Sequence, residues 1–278
     1  MAYKTLLTVL TASDQDALLD TAAQVAERED AHLDVFCLGI DHSQTGYYYA
    51  GASAYVFQES IDRSLATAEE IEKFVRTRLA NRTLRWSSET AVAQTGGLGT
   101  LIGMRARFSD LVVLPRPYAE DSAPDADAVV EAALFEGAAP VLVIPPKSFK
   151  PDYGKNIMIG WNQTEGAMNA VRRALPLLKA AEHVEITVVD PSPYGPERSD
   201  PGGALCQLLT RHGVNAEIAV LAKTLPQISD ILAHRAIEIG ADLLVMGAYG
   251  HSRFREAILG GATRNTLEKA KIPVFMAR

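Results

Sequence analysis

A run of glycines near the C-terminal end is the clearest candidate for chemistry in this 278-residue sequence. Gly247 and Gly250 bracket a tight turn, and after nine further residues Gly260 and Gly261 open a predicted helix. Glycine lets backbone N–H groups approach an anion without a Cβ in the way. The start of a helix adds unsatisfied N–H donors and the positive end of the helix dipole. This spacing favours a site for a phosphate group.

Side chains in the same segment suit that interpretation. Arg253 and Arg255 bring positive charge, and Thr263 offers a hydroxyl. His251 is either a phosphate donor or a solvent-facing loop residue. Glycines also serve in turns and helix caps, so a purely structural role for the segment is the alternative.

Composition limits the classes of partner. The formal net charge of -7 argues against a general nucleic-acid binder, because phosphate backbones need a basic face. A local dipole can still hold a small anion. Cys37 and Cys206 lie far apart without metal-ligand spacing, which indicates two reduced thiols in a cytoplasmic protein. No apolar run approaches the roughly 18 residues of a membrane-spanning helix, so no membrane partner is predicted.

The chain contains an internal repeat. Four apolar runs recur in the same order in both halves: 4–13, 32–41, 109–118 and 140–146 match 155–164, 183–192, 241–250 and 273–278. The first half is longer between its second and fourth runs, which places an extra segment around the tyrosine-rich loop 43–58 and the helix after it. The link 145–154 is rich in proline and lysine, as domain boundaries are. We predict domains at 1–148 and 152–278.

Short apolar runs alternate with helical patterns throughout. In the second half the pattern predicts strands at 157–161, 184–189, 216–220, 242–247 and 273–277, and helices at 165–180, 203–212, 227–239 and 262–270. Continuous apolar strands separated by helices are typical of a parallel sheet covered on both faces. The predicted fold class is therefore α/β, with two tandem doubly wound domains of five parallel strands each. Ligands of such sheets bind beyond the carboxyl ends of the strands, here after strands one and four.

The motif Gly247-x2-Gly250-x9-Gly260-Gly261 resembles the G-x2-G-x9-G-[S/T] nucleotide motif of the universal stress protein family. The segment 157–167 is similar to that family's opening ILVPVDGSxxA, and 241–252 and 273–276 also fit its pattern. The resemblance covers nearly the whole chain as two tandem family domains. It implies a universal stress protein-like, adenine nucleotide alpha hydrolase-like fold, with ATP, ADP or AMP as the ligand.

The resemblance also implies a role for individual residues. Gly160, Trp161 and Asn162 would edge the adenosine, and Val188 would pack beside the base. Met246 and Gly247 would offer backbone contacts near adenine and ribose. The phosphates would be held by Gly250, His251, Ser252, Arg253, Gly260, Gly261, Ala262 and Thr263.

Two positions depart from the family pattern. Asn162 stands where the family has aspartate, and an amide brings no negative charge to a magnesium ion. Firm binding of Mg²⁺ is therefore not expected. Gly261 stands where the family has serine or threonine, so one hydroxyl contact is lost while the backbone donor remains.

The first half departs further. The positions that match Asn162, Gly247 and Gly250 hold Thr11, Pro115 and Tyr118. Proline has no N–H to donate, and a tyrosine disfavours the positive φ that glycine allows. The stretch 120–127 then places four carboxylates where a phosphate would need donors. We predict that the nucleotide site of this half is degenerate.

Three classes of function stay open. The sequence contains no recognisable nucleophile–base set and no Walker lysine, so no catalytic or metal-ligating residues are predicted. The leading hypothesis is a nucleotide-binding regulatory protein of the stress response. The alternatives are a slow ATPase or other adenosine-phosphate enzyme, and an interaction scaffold that binds no nucleotide.

The ends of the two halves predict an assembly. Each half ends in an apolar strand, 140–146 and 273–276, that would leave an exposed sheet edge. We predict that these two strands pair within one chain, as they do between subunits of many family dimers. A homodimer of the whole chain is also open.

Overall fold

The computed structural model describes residues 3–43, 54–120, 122–146, 149–150, 152–192, 194, 199–248 and 261–278. By the density of their contacts, these residues form two compact units. The N-terminal unit comprises Tyr3–Leu114 and Ala123–Ala139. The C-terminal unit comprises Pro115–Ser122 and Pro140–Arg278.

Strands and helices alternate in the N-terminal unit. Its elements are β1 (Thr5–Leu10), α1 (Asp16–Glu29), β2 (His32–Asp41), α2 (Ala54–Leu79), β3 (Arg85–Gln94), α3 (Leu98–Ala106), β4 (Leu111–Pro115) and α4 (Ala126–Glu131). A 3₁₀ turn at Thr95–Gly97 precedes α3, and a π-helical turn at Ala132–Glu136 follows α4. The strands lie in the order β3-β2-β1-β4, and all three pairings are parallel.

The C-terminal unit contains the remaining elements. They are β5 (Val141–Ile144), β6 (Asn156–Trp161), α5 (Glu165–Ala180), β7 (His183–Val189), α6 (Gly203–Arg211), β8 (Ala216–Leu221), α7 (Ile228–Glu238), β9 (Leu243–Gly247), α8 (Gly261–Lys269) and β10 (Val274–Ala277). The strand order is β5-β10-β9-β6-β7-β8. Among the described residues, each half of the sequence thus supplies five strands, which confirms the predicted doubly wound α/β class.

Local sequence explains the central elements. Ile157, Met158 and Ile159 of β6 are buried on both faces of the sheet, as the continuous apolar run predicts. Thr164 caps α5 by accepting a 3.2 Å hydrogen bond from the backbone N–H of Ala167. The apolar stripe predicted on this helix is buried: Ala167, Ala170, Val171, Ala174 and Leu178.

The extra length of the first half lies partly in a longer helix. α2 has 26 residues, whereas α6, at the matching place in the second half, has 9. The prediction of an extra segment between the second and fourth strands is therefore confirmed. Most of the tyrosine-rich loop lies outside the described residues.

The last strands of the two sequence halves pair with each other. β5 runs antiparallel to β10, with Val143 opposite Val274 and Val141 opposite Met276. β10 runs parallel to β9 on its other side. The predicted pairing of these strands is present, and β10 has a hydrogen-bonded neighbour on each side. Because β5 belongs to the C-terminal unit by contact, the domain boundary near residues 148–152 stays a prediction.

No helix in the described ranges is both long enough and apolar enough to cross a bilayer.

Candidate functional site

Three parallel strands bring the predicted adenosine-side residues to one edge of the sheet. Gly160 of β6 lies opposite Met246 of β9, and Trp161 lies opposite Val188 of β7. Parallel strands end at the same edge, so these four residues from three separate segments are neighbours in space. Their nucleotide-binding roles stay predictions, but their proximity is established by the strand register.

Trp161 carries an unsatisfied polar atom at this edge. Its side chain is only 6% exposed, and its indole Nε1 has no hydrogen-bond partner in the described part of the chain. A buried donor without an acceptor costs about 1–3 kcal/mol. Val188 and Met246 are buried beside it in the sheet edge. A ligand that offered one acceptor atom in apolar surroundings would suit this arrangement.

Asn162 is held in the turn between β6 and α5. Its side-chain Oδ1 accepts hydrogen bonds from the hydroxyl of Thr164 at 2.7 Å and from the backbone N–H of Thr164 at 3.3 Å. Its amide nitrogen is left as the group that can donate to a ligand. In the described ranges no three side chains of His, Cys, Asp or Glu gather closely enough to hold a metal ion.

Gly247 is required by packing as well as by the predicted ligand. A Cβ at this position would lie 2.5 Å from the backbone nitrogen of Ala167 and 2.6 Å from the carbonyl carbon of Gly166. The end of β9 therefore touches the first turn of α5, and only glycine fits there. Gly160 is different, because a Cβ there would meet no atom closer than 3.6 Å.

The helix that begins at the end of the glycine motif is α8. Gly261 and Ala262 are exposed in its first turn, and Thr263 is buried. Among the described residues, a Cβ added at Gly261 would meet no atom within 4 Å. The other predicted phosphate-side residues, Gly250, His251, Ser252, Arg253 and Gly260, lie outside the described residues.

The matching edge of the first half is closed by its own side chains. After β1, the backbone N–H groups of Thr11 and Ala12 both donate to Oε1 of Gln15, at 2.8 and 3.2 Å. After β2, the buried carboxylate of Asp41 accepts bonds from Ser60 and Ser43. The hydrogen bond from Ser60, and then those from Ser43, hold the pKa of Asp41 below its usual value. These contacts support the prediction of a degenerate site, which stays a prediction.

The backbone of Tyr118 differs from the expectation that a tyrosine here would avoid a positive φ. It adopts φ 68, the left-handed conformation that a tyrosine disfavours. The guanidinium of Arg264 in α8 lies over its ring, 5.1 Å from the centroid. Such a contact contributes about 0.5–2 kcal/mol, comparable with the cost of about 1–3 kcal/mol for a non-glycine residue in this conformation.

A second contact joins the same loop to α8. Nη1 of Arg116 donates to the carbonyl oxygen of Ala270, just after the helix ends, at 3.2 Å. The loop after β4, which matches the predicted phosphate loop of the second half, thus contacts α8 through Tyr118 and the residue just after α8 through Arg116. No local sequence pattern predicts this hydrogen bond, because Arg116 and Ala270 are far apart in the sequence.

The C-terminal part of the chain is similar in sequence to known proteins. A family model described as the universal stress protein family matches residues 154–278. A curated universal stress protein from Synechocystis sp. is 51% identical over 37 residues, a match that covers 13% of this chain and 13% of that relative.

Solved structures resemble the whole chain in fold. A universal stress protein from Archaeoglobus fulgidus has a TM-score of 0.72 at 13% identity, with 99% of this chain and 96% of that chain covered. A putative universal stress protein from Pseudomonas aeruginosa scores 0.61 at 15% identity, with coverage of 99% and 92%. The cytoplasmic domain of a prokaryotic cation chloride cotransporter scores 0.53 at 13% identity, with coverage of 99% and 95%.

At these sequence identities, the likeness to solved structures shows only the fold. The family model matches only the second half of the chain. The tandem arrangement fits the structures that cover the whole chain. Residues 154–278 match the model of the universal stress protein family, and the fold of the whole chain is similar to that of a solved universal stress protein.

Proposed function

We propose that the C-terminal domain binds ATP, or ADP or AMP in its place, and that the protein has a regulatory role in the stress response. The observation that carries this proposal is the meeting of Gly160, Trp161, Val188 and Met246 at the carboxyl edge of one sheet. Four residues selected by family resemblance come from three separate strands, yet they are neighbours. This edge is also where parallel α/β sheets bind ligands.

The chemistry of these residues suits an adenosine group. The buried Nε1 of Trp161 needs an acceptor, and a ribose or an adenine ring offers several. Val188 and Met246 supply apolar surroundings for a flat base. The amide nitrogen of Asn162 adds one donor at the mouth of the site.

The phosphate side depends on backbone groups. Gly261 and Ala262 are exposed in the first turn of α8, where a helix presents unpaired N–H donors and the partial positive charge of its dipole. These groups favour an anion without requiring a net positive surface. A chain with a formal charge of -7 can therefore hold a nucleotide.

Binding is expected without appreciable turnover. Phosphoryl transfer depends on positioning and on metal-assisted charge stabilisation. The neutral amide of Asn162 offers no carboxylate to fix a metal ion. We expect hydrolysis slower than about one event per minute, against a median enzyme rate of about 10 per second. Nucleotide occupancy would then act as a signal that partner proteins recognise.

The test is calorimetric titration of the full chain with ATP, ADP and AMP. One nucleotide should bind per chain. Gly250→Val and Gly260→Val should abolish binding without unfolding the protein, because a branched side chain would crowd the phosphate path. Gly97→Val is the matched control, since a Cβ at Gly97 meets nothing within 4 Å and the residue lies in the first half. Two equivalent sites per chain, or full affinity in both motif variants, would contradict the proposal.

Phosphate release from the same preparation separates the two nucleotide hypotheses. A wild-type protein that releases several phosphates per second would favour the enzyme. A protein that binds no adenine nucleotide would favour the interaction scaffold.

A further inference from the structure

A cavity of about 470 Å³ lies between α7 and α8 in the C-terminal unit. Its wall is mainly apolar, and its apolar lining residues include Leu232, Ala236, Ile237, Leu244, Ala270 and Val274. None of the predicted nucleotide-binding residues lines it. The volume and apolar lining are those of sites for small molecules, which usually also contain a few polar groups.

Ser229 is one of the polar residues that line this α7–α8 cavity, together with His234 and Thr266. Ser229 is 3% exposed, and its Oγ has no hydrogen-bond partner in the portion of the chain that the structure describes. An unsatisfied hydroxyl in an apolar wall is unfavourable unless a partner reaches it. A ligand with a polar atom would satisfy Ser229.

The mouth of the cavity has an excess of positive charge. Three lysines line it: Lys150, Lys269 and Lys271. Of the two acids in the lining, Asp230 pairs with Lys269 at 2.9 Å. The carboxylate of Asp242 accepts three backbone N–H bonds, from Gly154, Lys155 and Asn156.

Lys271 is one of the lining lysines that can meet an acid. It is exposed, and no ion-pair partner for it occurs among the described residues. The carboxylates nearest in the lining already have donors. An incoming acid group would therefore meet a lysine rather than a competing carboxylate.

An apolar side chain marks the rim. Ile237 lines the cavity, yet it is 70% exposed to solvent. Covering it removes apolar surface from water, which contributes about 25 cal/mol per Å². An apolar body that filled the cavity would cover this side chain as well.

We propose that the α7–α8 cavity binds a metabolite-sized organic acid with an apolar body, such as a medium-chain carboxylate. The apolar wall holds the body, Lys271 meets the carboxylate at the mouth, and Ser229 bonds a polar atom of the ligand. The site is independent of the nucleotide proposal, because it shares no residue with it.

The test is titration of the full chain with three probes of equal chain length: decanoate, decan-1-ol and decylammonium. Decanoate should bind saturably, one per chain. The alcohol should bind about fivefold more weakly, because it carries no charge to pair with Lys271. The amine should bind at least about tenfold more weakly, because its charge is reversed.

Two variants locate the site. Ala233→Trp fills the cavity from an exposed position and should abolish decanoate binding, with an unchanged melting temperature and unchanged nucleotide affinity. Lys271→Glu should weaken decanoate binding by about tenfold. Lys223→Glu makes the same charge change at an exposed lysine outside the lining and should leave the affinity unaltered.

Three results would overturn the proposal. One is the absence of saturable decanoate binding, and another is equal affinity for decylammonium. The third is self-association of the wild-type chain in sedimentation that Ile237→Lys abolishes, since a second copy would then cover this face.

Discussion

Single residues decide how the candidate nucleotide site differs from its family pattern. Asn162 replaces a carboxylate with an amide of nearly the same shape, and its Oδ1 is already engaged by Thr164. The fold of the turn is therefore preserved while the charge is lost. Gly261 lacks the hydroxyl of the family pattern, and a Cβ there would meet no described atom within 4 Å. We expect both changes to weaken metal or phosphate contacts while the fold is kept.

Asn162→Asp tests the role of that charge. The aspartate keeps one oxygen for Thr164 and presents a second, charged oxygen to the site. We expect ATP affinity to become more dependent on Mg²⁺, and turnover to rise if it changes at all. The measurement is titration with and without Mg²⁺, together with phosphate release. Asn215→Asp, an exposed residue before β8, is the matched control. Equal Mg²⁺ dependence in the wild type and Asn162→Asp would show that this position does not reach the metal.

The two cysteines should differ in reactivity. Cys37 is fully buried, and burial raises the pKa of its thiol to about 12. Cys206 is partly exposed, with its Sγ 3.4 Å from the carbonyl oxygen of Ala216. Because the thiolate is the reactive form, a thiol reagent at pH 8 should label Cys206 and spare Cys37. Mass spectrometry should find one label per native chain and two after denaturation. Rapid labelling of Cys37 in the native chain would contradict its burial.

At the scale of elements, a buried ion pair connects strand β7 with helix α7. Glu185 on β7 is fully buried and forms a bidentate pair with Arg235 on α7, at 3.0 and 2.6 Å. Thr187 donates a third bond to the same carboxylate at 2.8 Å. Burial alone would raise the pKa of Glu185, but the bonds from Arg235 and Thr187 outweigh it and hold that pKa below its usual value. The pair therefore fixes the position of α7 on the sheet.

Arg235→Met should destabilise the protein by about 3–5 kcal/mol, because it leaves an uncompensated buried carboxylate. The double variant Glu185→Leu/Arg235→Met should recover most of the loss. Urea unfolding measures both, and equal destabilisation in the single and double variants would contradict this account.

The pair should also make stability depend on pH. The folded pKa of Glu185 is lowered, so its contribution is fully present above the unfolded pKa of 4.5. That contribution is lost as pH falls through the folded pKa. The double variant should lack this part of the acid sensitivity.

At the scale of the whole molecule, the two halves of the sequence are joined by β5 and β10. The antiparallel pairing covers the edge of β10 with a strand from the first half. A chain cut down to residues 152–278 would lack β5 and leave that edge free to pair with another chain. The tandem arrangement thus makes one chain supply both members of the pair.

The isolated segment 152–278 should therefore self-associate. A longer segment, 138–278, retains β5 (Val141–Ile144) and should associate less. Light scattering coupled to size exclusion gives both masses at equal concentration. A monomeric 152–278 segment would show that the edge of β10 needs no cover.

Much of this protein could be predicted from local sequence. Local sequence located the described strands and helices of the second half to within one or two residues, because continuous apolar runs and helical apolar stripes are patterns of neighbouring residues. The repeat predicted five strands per half. The exposed edges of the end strands, together with the family resemblance, predicted their pairing, which the structure contains. Family resemblance selected the strand-end residues that the sheet brings together, such as Trp161 and Val188.

Other features were decided only by tertiary structure. The contact of Gly247 with the first turn of α5, the stacking of Arg264 on Tyr118, and the burial of Ser229 in the α7–α8 cavity all join segments that are far apart in the chain. Tyr118 adopts a conformation that its residue type disfavours, because a partner in α8 compensates for the cost. Local sequence determines which elements form, whereas contacts, strain and cavities depend on how those elements pack.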